Sequence, residues 1–189
     1  ETDAVGVEIY FSGSSNSKHD NQFVSAIIKL NAVGDKPRLL LGVTDEDNYV
    51  ALEVEGGATD STLRIIDRVA GTETTLETIK LWNIGTATEF TLRGCLSTPA
   101  DRWWVTYATS DPNNNDPPVD LARNFGWHYV FSAPSHLGDS HGMGAGDTVA
   151  SRLSFDDYHF RRHEGTNDES GCPNCDSCTS FRTDWTDQS

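Results

Sequence analysis

"RLLLGVTDEDNYVALEVE", residues 38–55, is the stretch whose reading decides the fold. Two apolar runs, "RLLLGV" (38–43) and "YVALEVE" (49–55), flank "TDEDN" (44–48). Asp, Glu and Asn in succession end a strand, because short polar side chains bond the local backbone and tolerate tight turns. The second run alternates, with Leu52 and Val54 on one face and Glu53 and Glu55 on the other. A period of two is the mark of a strand rather than a helix. The segment is read as strand, turn, strand.

The same period extends in both directions. "VGVEIYF" (5–11) alternates, and "QFVSAIIKLNA" (22–32) is a long apolar-rich strand. "STLRIIDRV" (61–69) and "ETTLETIKL" (73–81) enclose "AGT", a hairpin signal. "TEFTLRGCL" (88–96) and "RWWVTYAT" (102–109) supply two more strands. About ten residues per strand, with no helical periodicity, points to a sandwich or barrel. Two stretches read as loops: "SDPNNNDPPVD" (110–120) and the Gly-rich "PSHLGDSHGMGAGD" (134–147). After Gly165 the composition turns polar and cysteine-bearing. The chain is therefore divided into a β domain, 1–165, and a C-terminal tail, 166–189.

In "SRLSFDDYHFRR", Leu153 and Phe155 share one parity while Tyr158 and Phe160 share the other. A β-bulge at Asp156–Asp157 would restore the phase; the alternative is a strand buried on both faces.

Composition excludes some classes of function. Lys and Arg number 14 against 29 Asp and Glu, a net charge of −15. Such a surface repels phosphate backbones, so no nucleic-acid partner is expected, and docking on anionic membranes is disfavoured. No apolar run reaches the length of a membrane span, and "ETDAVGVEIYF" at the start does not read as a secretion signal.

The order of elements resembles the laminin G-like, concanavalin A-like jelly rolls. The residues carrying the resemblance are Gly42, Asp45, Asn48 and Tyr49 in "GVTDEDNY", and "GMGAGDTVASRLSFDDYHF" near the end. It spans roughly residues 5 to 163 and implies a two-sheet antiparallel jelly-roll sandwich. That architecture hosts lectins, glycosidases, lyases, adhesion modules and particle-surface proteins, so it does not select a function. It further implies a structural calcium ion held by Asp156 or Asp157, with the backbone near Ser12 and Gly13 as partner. The alternative role for these aspartates is hydrogen bonding to turn or bulge N–H groups.

The Glu-x-Asp-x-x-Glu arrangement of polysaccharide-cleaving members is absent. The nearest carboxylate pair is Glu53 and Glu55, with Cα atoms roughly 7 Å apart on one strand face. That spacing is compatible with glycoside cleavage, but the pair is read as a solvated strand face whose glutamates tolerate replacement by Gln, with no glycosidase activity expected. No catalytic residue is assigned. "HLGDSHGMGAGD" places His136, Asp139, His141 and Asp147 in one stretch, where imidazoles and carboxylates could bind zinc or calcium. Trp103 and Trp104 are adjacent in a strand and face opposite ways; one is expected in the core, and the other could stack on a sugar ring.

"CPNCDSC" (172–178) sets Cys172, Cys175 and Cys178 three apart, with Cys95 the fourth cysteine. Disulfides are expected, one of them joining Cys95 to the tail; a zinc knuckle is the alternative. The functional expectation is a non-catalytic structural or adhesion module on a cell surface, filament or virus particle, assembling with copies of itself or other subunits. A calcium-assisted carbohydrate-binding module is the alternative, and a glycosidase or lyase the third reading.

Overall fold

The computed structural model describes residues 9–11, 21–97, 102–110, 125–132, 138, 140–146 and 154–163. They form eleven strands: β1 (Ile9–Phe11), β2 (Asn21–Lys29), β3 (Pro37–Asp45), β4 (Asn48–Glu55), β5 (Ser61–Val69), β6 (Thr72–Leu81), β7 (Glu89–Ser97), β8 (Arg102–Ser110), β9 (Phe125–Ser132), β10 (Ser140–Ala145) and β11 (Ser154–His163). Two antiparallel sheets result, of order β1-β10-β3-β4-β5-β6 and β11-β2-β7-β8-β9. The chain passes between the sheets after β1, β2, β6, β9 and β10, which winds it into a jelly-roll sandwich. The closing strand β11 pairs with β2, and β1 pairs with β10.

Alternation builds the core between the sheets. Leu39, Leu41, Val50, Leu52, Val54, Leu63 and Ile65 come from one sheet; Val24, Ala26, Ile28, Phe90, Leu92, Leu96 and Val105 come from the other. Gly94 is the thin point, because a Cβ there would stand 2.4 Å from Leu52 Cδ1. Its absence lets β7 approach β4 across the interface.

The hairpin turns follow from their residues. Asp45 Oδ1 accepts the Asp47 N–H at 2.9 Å and the Asn48 amide at 2.7 Å. Asn48 Oδ1 in turn accepts the Ala70 N–H at 3.0 Å, tying one hairpin turn to the next. Ala70 and Gly71 both take positive φ, 48° and 78°, between the paired Val69 and Thr72. This is the two-residue turn whose twist matches the strands it joins.

Three consecutive leucines, Leu39 to Leu41, make sense because β3 is covered on both faces. Leu39 and Leu41 enter the central core, while Leu40 joins Val43, Tyr49, Ala51 and Ile66 in a second buried cluster on the outer face of the six-stranded sheet. The register breaks between Leu41 and Asp45, and Gly42 has a φ of 62°. That irregularity changes the phase and turns Val43 to Leu40's side.

The Gly-rich stretch is a correction: residues 140–145 are a strand, not a loop. Gly142 and Gly144 lie opposite Leu40 and Arg38, and Met143, of the other parity, packs against the core. Alternation is present but half of its positions lack a side chain. In β11 the register shifts between Asp156 and His159, which uses one extra residue. Phe155 and Tyr158, of opposite parity in sequence, consequently both pack on the core.

Candidate functional site

The outer face of the six-stranded sheet carries a run of alternating charges. Antiparallel pairing sets Arg38 opposite Glu53, Glu53 opposite Arg64, and Arg68 opposite Glu73. Arg38 Nε donates to Glu53 Oε2 at 2.7 Å, and its two terminal nitrogens donate to the two Glu73 oxygens at 2.8 and 3.0 Å. Arg38 Nη1 also donates to Tyr49 Oη at 3.2 Å. Arg64 reaches Glu53 at 3.0 Å and Glu55, which Lys36 also approaches at 3.8 Å. Arg68 bonds Glu73 at 3.0 Å, approaches Asp47 at 3.4 Å, and lies over the Tyr49 ring. The run is Lys36, Glu55, Arg64, Glu53, Arg38, Glu73, Arg68, Asp47: four cations against four carboxylates.

Its centre is dry. Arg38 and Glu53 are 5% and 3% exposed, whereas the side chains of Lys36, Glu55 and Arg64 keep 30%, 33% and 29%. Burial opposes the Arg38 charge, but Glu73 and Glu53 outweigh it and raise the pKa above the ordinary arginine value. The Arg38 hydrogen bonds hold the Glu73 carboxyl below its ordinary range, with Arg68 adding to the effect. A Cβ at Gly146 would overlap Glu53 Oε2 and sit 2.8 Å from Arg38 Nε, so glycine is what lets that backbone lie against the pair.

This revises the reading of Glu53 and Glu55. They share a face, as alternation requires, but that face is dry at Glu53 and only partly exposed at Glu55. Glu53 is gripped by two guanidiniums, and Glu55 by Arg64 and Lys36. A general acid or a nucleophile needs a carboxyl group directed at substrate; here both are directed at cations. Nor is Glu53 an indifferent position for Gln, since a neutral amide would leave Arg38 short of a buried counter-charge.

Beyond this run on the same face, Lys80 Nζ stands 3.6 Å from the centroid of the Trp82 ring and 2.9 Å from Asp60 Oδ2. Asp60 Oδ1 accepts the Asn83 N–H at 2.9 Å. The Lys80 hydrogen bond, with that of Asn83, lowers the Asp60 pKa. Trp82 is 50% exposed, unusual for an indole.

His141 belongs to another environment. It is buried on β10, with Nδ1 2.7 Å from Tyr158 Oη on β11 and the rings stacked. The contact joins the two sheets. Burial pushes the imidazole down to about 4 and the phenol up. The proposed grouping with His136, Asp139 and Asp147 cannot be followed, since those three lie outside the described residues. Among the described residues, no three His, Cys, Asp or Glu side chains gather to hold a metal ion.

The remaining sequence candidates are placed in part. Trp103 and Trp104 lie in β8, and Asp156 and Asp157 lie in β11 at the register shift. Their side chains fall outside the described part of the structure. Cys95, on β7, is buried. Its parity is that of Arg93 rather than of Leu92 and Leu96, which sets it on the face of the five-stranded sheet turned away from the core. Cys172, Cys175 and Cys178 lie outside the described residues. Sequence reasoning missed Arg38, Arg64, Arg68 and Glu73. The signal for the first two was available: a turn at 44–48 sets Arg38 opposite Glu53, and the next hairpin adds Arg64.

No family model matches the chain, and no curated protein matches it. Among solved structures it is similar to the carbohydrate-binding module CBM66 from Bacillus subtilis, with 10% identity over 77% of each chain and a TM-score of 0.48. Galectin-Ib of Xenopus laevis is similar at 10% identity over 82% of this chain and 100% of the galectin, TM-score 0.48. A GH43 protein from Bacillus licheniformis gives 15% identity over 77% of this chain, which corresponds to 28% of that chain, with a TM-score of 0.47. At these TM-scores the fold rests on this chain's own strand order and register. The narrower laminin G resemblance stays with the sequence motifs that suggested it.

Proposed function

We propose that the chain is a non-catalytic recognition and adhesion module that binds glycans on the outer face of its six-stranded sheet. One observation carries this reading: a charge-balanced, mutually bonded array of guanidinium and carboxylate groups, dry at its centre and open at its Lys36–Glu55–Arg64 end. Sugar hydroxyls both donate and accept. An array that offers fixed donors and acceptors at strand spacing can satisfy them without reorganising. The same ion pairs occupy the carboxylates that hydrolysis would need. Display on an extracellular or particle surface, and calcium at Asp156 or Asp157, belong to the proposal as expectations.

The test is a glycan array run with and without a chelator, beside a turnover assay. Binding that Arg64→Ala reduces and Glu55→Gln alters, with no polysaccharide cleaved, supports the reading. Turnover abolished by Glu55→Gln would overturn it. Loss of binding on chelation alone would assign calcium to the ligand site.

A second reading, assembly with further copies, has its own observation. β6 is a ten-residue strand at the end of its sheet, paired only with β5 among the described residues. Such an edge can accept another strand, although Glu73, Glu77, Lys80 and the irregularity opposite Ile65–Ile66 oppose it. Native mass measurement decides between one copy and several.

A further inference from the structure

We infer that Trp82 is the stacking wall for an uncharged sugar ring, the contact that gives the glycan reading above its ligand class and on which this inference rests. Lys80 lies opposite Thr62 in the register, as Glu55 does from the other side. Lys80 is thus on the outer face, in the same transverse row as Glu55. Trp82 shares that side, because the Lys80 ammonium rests on its ring. The half-exposed end of the charge run and the exposed indole therefore belong to one continuous surface.

The indole is held in place by a chain of contacts. The Asn83 N–H fixes Asp60, Asp60 fixes Lys80, and Lys80 covers one face of the ring. The hairpin end beneath is itself locked. Ser61 Oγ donates to the Ile84 carbonyl at 2.6 Å, and the Thr86 N–H donates to the Gly57 carbonyl at 2.8 Å. A ring oriented in advance loses little freedom on stacking. The C–H face of a pyranose suits an indole, while Lys80 and Asp60 stand beside it as donor and acceptor for ring hydroxyls.

The charge selects the class. Lys80 and Asp60 neutralise each other, and the adjoining run is balanced. The chain as a whole carries −15, which repels polyanionic glycans. An uncharged oligosaccharide meets no such penalty.

The experiment uses the full chain and four neutral probes, namely cellohexaose, xylohexaose, maltohexaose and lactose, with heparin and sialyllactose as anionic counterparts, by calorimetric titration. At least one neutral probe binds, Trp82→Ala weakens it by about tenfold or more, and Trp82→Phe restores most of the affinity. The melting temperature of each variant confirms folding. Neutral binding that Trp82→Ala leaves unchanged overturns this inference and spares the glycan reading. Binding of the anionic probes alone does the same. No binding by any probe, with array binding also absent, overturns both.

Discussion

On the inner face of the six-stranded sheet, Leu39, Leu52 and Ile65 stand side by side across β3, β4 and β5. One residue along each strand, on the outer face, Arg38, Glu53 and Arg64 stand side by side in the same way. Backbone, register and neighbours are shared, and the middle member of each row is buried. The inner row gains its energy from area removed from water, which has no direction. The outer row gains its energy from oriented charges, and each member is needed by the next. The inner row should therefore tolerate changes of shape, and the outer row should tolerate no single deletion.

The largest effect should come from breaking the outer row. Arg38→Met leaves Glu53 buried beside a partly exposed Arg64, and its cost should be about 3–5 kcal/mol. Leu52→Ala in the inner row should cost about 2–5 kcal/mol. The two differ in rescue. Adding Glu53→Leu to Arg38→Met removes the stranded charge and should restore stability relative to the single variant. Urea denaturation of the four proteins measures this. A double variant less stable than Arg38→Met would show that the rows do not differ as argued.

The second effect concerns a polar intrusion into the inner side. His141 and Tyr158 join the sheets, and burial holds His141 neutral down to about 4. In the unfolded chain histidine takes up its proton near 6.5. The folded-state value is depressed, so the unfolded state binds more protons in this interval. Stability is full above the unfolded value and falls as pH drops from about 6.5 towards 4, by about 2–3 kcal/mol. Glu73, also depressed, extends the loss at lower pH. Thermal melts from pH 7 to pH 4 should show the slope, and His141→Asn should flatten its upper part. An unchanged slope would assign the acid loss to carboxylates alone.

A third, smaller contrast compares two glycines. A Cβ at Gly94 would meet the far end of Leu52, a side chain that can turn aside. A Cβ at Gly146 would meet the Glu53 carboxylate, which Arg38 and Arg64 hold still. Both alanine variants fall in the overpacking range of about 1–3 kcal/mol, with Gly146→Ala the more damaging. Equal costs would mean that the ion pairs yield as readily as leucine does.

The two faces also differ in how far they could be read from the sequence. Inner-face positions announce themselves, because Leu52 and Val54, or Leu63 and Ile65, are apolar at a period of two. The sandwich, its hairpins and the irregularity near Asp156 follow from that signal. The outer face shows Glu53, Glu55, Arg64 and Arg68, which composition alone reads as solvated. Only the register between strands brings opposite charges together, and only the full fold buries them. Strand β10 was hidden for a different reason: Gly142 and Gly144 erase half of its alternation. Trp82 sits just past the end of a strand, where period two no longer says which way a side chain points.

The smallest effect tests whether burial, rather than charge pairing as such, makes the outer row matter. At the far end of the same run, Asp47 lies 3.4 Å from Arg68, with its side chain 51% exposed. Arg68 has a second carboxylate partner, Glu73, at 3.0 Å. Exposed pairs of this kind contribute about 0–1 kcal/mol, since water solvates each partner nearly as well as the other partner does. Asp47→Asn preserves size and removes the charge, so it should change stability by about 0.5 kcal/mol or less. Whatever change appears should shrink further in 1 M salt, where the screening length is about 3 Å. Arg38→Met in the same salt should keep most of its cost, because ions do not reach a pair that solvent does not reach. If Asp47→Asn cost as much as Arg38→Met, the run would act as one electrostatic unit regardless of depth, and the contrast between its dry centre and its wet end would fail.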